Sequence, residues 1–217
     1  MAAIEADTPS ARRELLHALL HALQQSPSVT LHWHSPRAPA DFKLDDHNAI
    51  DWLIDCRGLG ARDQLRLRGV RGEVIRLHAP DVSLQRPTRL IHPRYPIYIA
   101  PKPNHLFVIG ATEIESEDLS EASVRSTLEL LSAAYTVHPG FAEARILEIA
   151  TQARPTLPDN LPCITLHGPR HISLNGLYRH GFLISPAMLD AALEWLQYQT
   201  TESALNWGLR VEDERNH

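Results

Sequence analysis

The sequence predicts a mixed α/β protein, α+β in its middle, on three observations. Residues 8–60 run helix, strand, loop, strand and glycine turn, a fragment of a doubly wound architecture. Residues 71–111 hold four short β-type runs parted by turn clusters, the pattern of an antiparallel sheet. Residues 171–199 close with a short strand, a glycine-bracketed loop and a helical run.

Each element has its own reason. Thr8-Pro9-Ser10 starts a helix with a capping hydroxyl and a proline whose missing N–H costs nothing there. Leu15, Leu16, Leu19, Leu20 and Leu23 give it an apolar stripe at helical spacing. Ser26-Pro27 stops it, and Val29–His34 alternates as a strand does. The Pro- and Asp-rich stretch 35–48 reads as a loop. Asp51–Cys56 reads as a short buried strand that turns out through Gly58-Leu59-Gly60.

After Gly69 the pattern changes. Arg71–Leu77, Thr88–His92, Ile97–Ala100 and Leu106–Ala111 read as strands, with Pro101–Asn104 as a turn cluster. Leu119–Tyr135 reads as a helix capped by Ser120 and ended by His138-Pro139-Gly140. Ala144–Ala153 reads as a strand, residues 154–162 as a proline-rich loop, and Ile164–His167 and His171–Leu174 as strands. The last helix is expected from about Pro186 to Thr200, and the polar stretch Ser203–His217 as a loosely held tail.

Composition narrows the function classes. The chain has 217 residues, 43% hydrophobic and 22% charged, an ordinary globular balance. A net charge of −5 argues against a nucleic-acid partner. No apolar run approaches the roughly 18 residues of a membrane span. The acidic start Met1–Asp7 lacks the basic and apolar regions of a secretory signal. Cys56 and Cys163 lie far apart without CxxC spacing, which favours two buried, reduced thiols in the cytoplasm. Among 13 histidines, His17 and His21 stand at i, i+4, and His32 and His34 share a face of the expected strand. No motif such as HExxH completes either pair, so no metal site is assigned.

The closing junction, Asn175-Gly176-Leu177-Tyr178-Arg179-His180-Gly181-Phe182-Leu183-Ile184-Ser185-Pro186, organises the rest. Gly176 and Gly181 allow positive φ and close backbone approach to a ligand. A helix start offers amide donors and a positive dipole end to an electron-rich edge or an anion. The plain alternative is a turn followed by a helix. This stretch resembles the second flavin-contacting loop of the FAD-dependent D-amino-acid oxidase family, and is most similar to its glycine oxidase branch linked to thiamine biosynthesis. The resemblance runs from about Asp51 to Leu193.

It implies a remnant of a doubly wound FAD-binding domain plus an antiparallel substrate-domain sheet with flanking helices. Residues 1–68 and 154–200 would belong to the former, residues 69–153 to the latter, and 201–217 to the tail. It implies FAD as cofactor, held by backbone of Gly176, Leu177, Tyr178, Arg179, His180, Gly181, Phe182 and Leu183 and by Gly58, with Gly60 beside it. It also implies a small amino acid as substrate, oxidised to an imine with release of hydrogen peroxide.

Three side chains would meet that substrate. Arg154, in Ala153-Arg154-Pro155-Thr156, resembles the family's Arg-Pro motif, whose arginine binds the substrate carboxylate through its two-pronged fork. Tyr98, in Ile97-Tyr98-Ile99-Ala100, resembles the strand tyrosine that assists it. Arg179 would face the substrate side of the flavin. Without the family these read as a rim salt bridge, strand packing and a solvated charge. Pro96 stands where some relatives carry a histidine, and Glu113 where some carry an apolar residue.

The dinucleotide fingerprint G-x-G-x-x-G is absent; Gly58-Leu59-Gly60 stops after two glycines. The resemblance therefore implies a C-terminal portion of such an oxidase, with sheet edges and apolar surface left uncovered. Its expected partner is a complementing N-terminal chain or a second copy of itself. The alternative is a non-catalytic truncated module.

Overall fold

The computed structural model describes residues 9–42, 44, 50–93 and 96–216. The chain divides into two compact units, one of Met1–Leu15 with Gly69–Ala153, the other of Leu16–Arg68 with Arg154–His217. The mixed α/β class expected from the sequence is what the structure shows.

The first unit is built on a sheet of order β3-β4-β5-β2-β6, formed by β2 (Arg68–His78), β3 (Thr88–Leu90), β4 (Ile97–Lys102), β5 (Leu106–Gly110) and β6 (Arg145–Thr156). β3, β4, β5 and β2 pair antiparallel in turn. Side chains alternate between faces: Ile75 and Leu77 are buried, while Val74, Arg76 and His78 are half-buried. The buried set, with Ile97, Ile99, Phe107 and Ile109, meets Leu130, Ala133 and Ala134 of helix α2 (Val124–Val137). The β4–β5 turn bends at Asn104 and His105, with φ of 61° and 56°. β6 lies at the sheet's end, and its Ile146, Leu147 and Ile149 remain 51%, 54% and 39% exposed.

The expected Ser120 cap is corrected to Ser123, whose side chain accepts from the Ser126 amide at 3.1 Å. The Ser120 hydroxyl is taken up by the Asp118 carboxylate at 2.8 Å, so the helix starts later.

The second unit holds a mixed sheet of order β1-β8-β7-β9: β1 (Leu53–Asp55), β7 (Cys163–Gly168), β8 (His171–Asn175) and β9 (Arg210–Asp213). β1 runs parallel to β8, β8 antiparallel to β7, and β9 parallel to β7. Helix α3 (Gly181–Tyr198) lays Met188, Ala191, Ala192 and Trp195 on Ile164, Leu166 and Ile172, joined by Ala204 of the short helix α4 (Glu202–Asn206).

Several expectations change here. The tail is not loose: α4 and β9 form, because Leu209 and Val211, two apolar residues inside a polar stretch, pack on this core while β9 pairs with β7. α3 begins at Gly181, not Pro186. Pro186 lies inside the helix, where it gives up one backbone bond of an 18-residue helix. The stretch 154–162 is strand through Thr156. Val29–His34 is not a strand: it joins no ladder with a described strand, His34 takes φ 53°, and Trp33 is 64% exposed. His32 and His34 therefore share no strand face. Cys163 is buried but Cys56 is exposed, and both are free thiols.

The N-terminal helix α1 (Pro9–Gln25) forms as expected, yet Leu15, Leu16, Leu19 and Leu23 are 44–52% exposed. No helix among the described residues is long and apolar enough to cross a membrane.

Candidate functional site

Three bends of the second unit meet at one end of its sheet. The first follows β1, where the chain turns through the 3-10 segment Gly58–Ala61, with Gly58 at φ 58°. The second is the end of β6, where Pro155 follows Arg154. The third is the corner after β8, where Gly176 takes φ 74° and Tyr178 φ 49°.

Local contacts fix each bend. Asp55 is 4% exposed and accepts from Arg57 three times, from the backbone amide at 2.9 Å and from Nε at 3.0 and 2.9 Å. Burial alone pushes the Asp55 carboxyl up, but the donating Arg57 side chain and amide outweigh it and hold the group below its ordinary value. A Cβ on Gly176 would lie 2.6 Å from Leu157 Cδ1 and 3.1 Å from the Leu161 carbonyl, so the corner accepts only glycine. The Tyr178 amide donates to the Pro155 carbonyl at 3.3 Å. A Cβ on Gly58 would meet Pro155 Cγ at an ordinary 3.6 Å.

Asn175 joins the set. It is 1% exposed; its Nδ2 donates to the Gly58 carbonyl at 3.0 Å, and its Oδ1 accepts from the Gly176 amide at 2.8 Å. Sequence reasoning passed over this residue as the start of the loop. The dipeptide Asn-Gly at a strand end is the signal that finds it, since asparagine bonds readily to backbone at turns. Arg68 was also missed: it holds the Leu157 carbonyl and the Asn160 side chain, both at 2.6 Å.

Of the expected residues, Gly58, Arg154 with its proline, and the loop Gly176–Leu183 all lie in this unit. Arg154 is half-buried and Arg179 and His180 are exposed. Gly181, Phe182 and Leu183 form the first turn of α3, so Gly181 serves as a helix start and needs no positive φ. The first turn of a helix carries amides without an intrahelical acceptor and the positive end of the dipole. No acidic side chain occurs from Asn175 to Leu189. In this turn the Leu183 amide already donates to the His180 carbonyl at 3.0 Å, so what the turn offers an electron-rich group is its positive dipole end without a carboxylate nearby in sequence.

Tyr98 belongs to the other unit. It sits on β4 opposite Gly110, where an added Cβ would come within 2.8 Å of the tyrosine hydroxyl, so the ring lies across the glycine. Pro96 and Glu113 are exposed.

A second polar cluster lies on β7 and β8. His167 Nδ1 is 2.8 Å from the Glu214 carboxylate, and Nε2 is 3.0 Å from Ser173 Oγ. The Nδ1–H donates to the Glu214 carboxylate, and Nε2 lies within hydrogen-bond distance of the serine hydroxyl. Ser173 is 0% exposed, so this serine–histidine–glutamate line reaches no substrate and ties the C-terminal segment to the sheet. His171 stacks on His167 with ring centroids 4.6 Å apart, and burial, then the neighbouring His167, push its pKa down. Among the described residues no three His, Cys, Asp or Glu gather to hold a metal ion.

Known proteins align with this picture. The family model described as FAD dependent oxidoreductase matches residues 8–194. A Rhizobium etli protein that carries the name thiamine biosynthesis oxidoreductase ThiO is 52% identical over 139 residues, 64% of this chain and 42% of its own length. The glycine oxidase of Geobacillus kaustophilus is 31% identical over 132 residues, 59% of this chain and 34% of its own length. The crystal structure of glycine oxidase from the same organism superposes with a TM-score of 0.60 at 27% identity, covering 71% of this chain and 43% of that one. Iminodiacetate oxidase from Chelativorans shares the fold, with a TM-score of 0.63 at 21% identity. In Nostoc the matching region lies within a bifunctional ThiO/ThiG protein. The chain spans less than half the length of these relatives. With a family model covering most of its residues, the chain belongs to the FAD-dependent oxidoreductases.

Proposed function

We propose that the chain serves glycine-oxidase-type oxidation of a small amino acid in the cytoplasm. The observation that carries this reading is the meeting of the Gly58 turn, the Arg154-Pro155 strand end and the Gly176 corner within one unit. Residues 1–68 and 154–200 would contribute to FAD binding and residues 69–153 to the substrate side. When bound, the cofactor would supply the oxidation itself, amine to imine, with dioxygen as the final two-electron acceptor and hydrogen peroxide as its product.

The chain's residues supply position and charge. Arg154 holds the substrate carboxylate with two parallel N–H donors, a geometry lysine lacks. By the resemblance, Tyr98 serves the substrate from its own unit with a hydroxyl, and Arg179 sets positive charge beside the ring and the substrate. Gly58 and the backbone from Gly176 to Leu183 line the place where negative charge gathers, with the Gly176 and Tyr178 amides held by Asn175 and Pro155.

A second reading has its own observation. The exposed leucines of α1 and the exposed apolar residues of β6 are surface suited to cover. On this reading the chain works with a complementing N-terminal chain or a second copy of itself, or it is a non-catalytic module.

A peroxide-coupled oxidase assay on the flavin-loaded protein tests the role of Arg154. Arg154→Met should raise KM for a small amino acid by roughly a hundredfold, the loss of a charge-assisted pair. An unchanged KM would remove Arg154 from the site.

A further inference from the structure

We propose that Asn175 is the positioning residue of the site, a side-chain clasp that sets the Gly58 turn against the Gly176–Gly181 loop. The proposal rests on the flavin-loop reading above and names the residue that keeps its two backbone walls in register.

The geometry is specific. Gly58 and Asn175 are 117 positions apart in the chain, yet the amide of Asn175 bonds to both bends at once. Donor and acceptor are each matched: Nδ2 faces a carbonyl at 3.0 Å and Oδ1 faces an N–H at 2.8 Å. At 1% exposure, water replaces neither bond. β1 is only three residues long, so the ladder it forms with β8 ends at Asp55, before Gly58 is reached. The turn is held beyond the ladder by Asp55–Arg57 on its near side and by Asn175 on its far side. Tyr178 completes the corner through the Pro155 carbonyl, so the Asn175 link also fixes the turn relative to the strand end that carries Arg154.

The two bonds are separable by chemistry. Asn175→Asp keeps an acceptor for the Gly176 amide but places a carboxylate oxygen against the Gly58 carbonyl, so only the far link is lost. Asn175→Ala removes both.

The test is amide hydrogen exchange of the full chain, read at Gly60, Gly176 and Tyr178, with Ile164 and Ile172 as references inside the sheet. In Asn175→Asp we expect roughly tenfold faster exchange at Gly60 with Gly176 and the references unchanged. In Asn175→Ala we expect faster exchange at Gly60, Gly176 and Tyr178 together. Equal acceleration at Ile164 and Ile172, or no change at Gly60 in either variant, would overturn the clasp. A second arm titrates FAD into each protein and follows its visible spectrum, alone and with a complementing N-terminal portion. Asn175→Asp should weaken uptake at least tenfold and displace the flavin band, while Ser123→Ala, a substitution in the other unit, should do neither. Matching spectra for wild type and Asn175→Asp would overturn the positioning role. A wild-type protein that takes up no flavin in either state would overturn the proposed function, while the exchange arm still decides the clasp.

Discussion

The two units are put together differently. In the Gly69–Ala153 unit, half of the sheet is local: β4 and β5 pair across a three-residue turn and β3 pairs with β4, while β2 reaches across to β5 and β6. Its core is apolar side chains at alternate strand positions meeting one helical stripe, with one ion pair, Arg71–Glu73 at 2.7 Å, buried on β2. In the other unit, β1 pairs with β8 more than a hundred residues later, and buried polar groups close the junctions: Asp55, His171, Ser173 and Asn175. Alternating apolar positions carry the first sheet, whereas the β1–β8 junction, more than a hundred residues apart, is held in register by buried hydrogen bonds that tolerate only one arrangement.

The sharpest way to break that contrast is at the corner. Gly176→Ala forces a Cβ to 2.6 Å from Leu157 at a left-handed φ, and should cost about 3 kcal/mol in denaturant unfolding of its unit. Gly58→Ala makes only an ordinary contact with Pro155 and should cost about 1 kcal/mol, the backbone penalty alone. Equal costs would mean that Leu157 yields freely and the corner is not a fixed point.

A smaller effect separates the units by pH. Burial and His167 lower the His171 pKa, while the facing Asp55 and Glu214 raise it and Arg57 lowers it, for a net fall below 6.5. As pH drops through about 6.5 the unfolded chain takes the proton first, so stability declines below that pH and is unaffected above it. Thermal unfolding against pH should show this limb, and His171→Phe should flatten it.

The smallest effect belongs to the local unit. Ser123→Ala should cost about 1 kcal/mol as a lost helix cap, while Ser120→Ala should cost little. A reversed order would return the cap to Ser120.

The same contrast explains what the sequence disclosed. The strands around Ile75, Ile99 and Ile109 show period-two alternation, so their sheet was legible with small changes of boundary. β9 was not, because two apolar residues, Leu209 and Val211, carry no periodic signal until β7 lies beside them. Val29–His34 shows the reverse: alternation is present, but an alternating segment becomes a strand only with a neighbour. At the candidate site the glycine corner was legible in Asn175-Gly176. The bond from Asn175 to Gly58 was not, since no local pattern reports a contact across 117 positions. The start of α3 was misplaced because Pro186 reads as a boundary, whereas an 18-residue helix packed on a core absorbs the loss of one bond.

The most direct test of the central claim is the absorbance spectrum of the purified protein, alone and co-expressed with an N-terminal portion of a family member. The account predicts flavin bands in at least one of these samples, with amino-acid-dependent bleaching when air is excluded. No flavin bands in either would contradict it and leave the non-catalytic module.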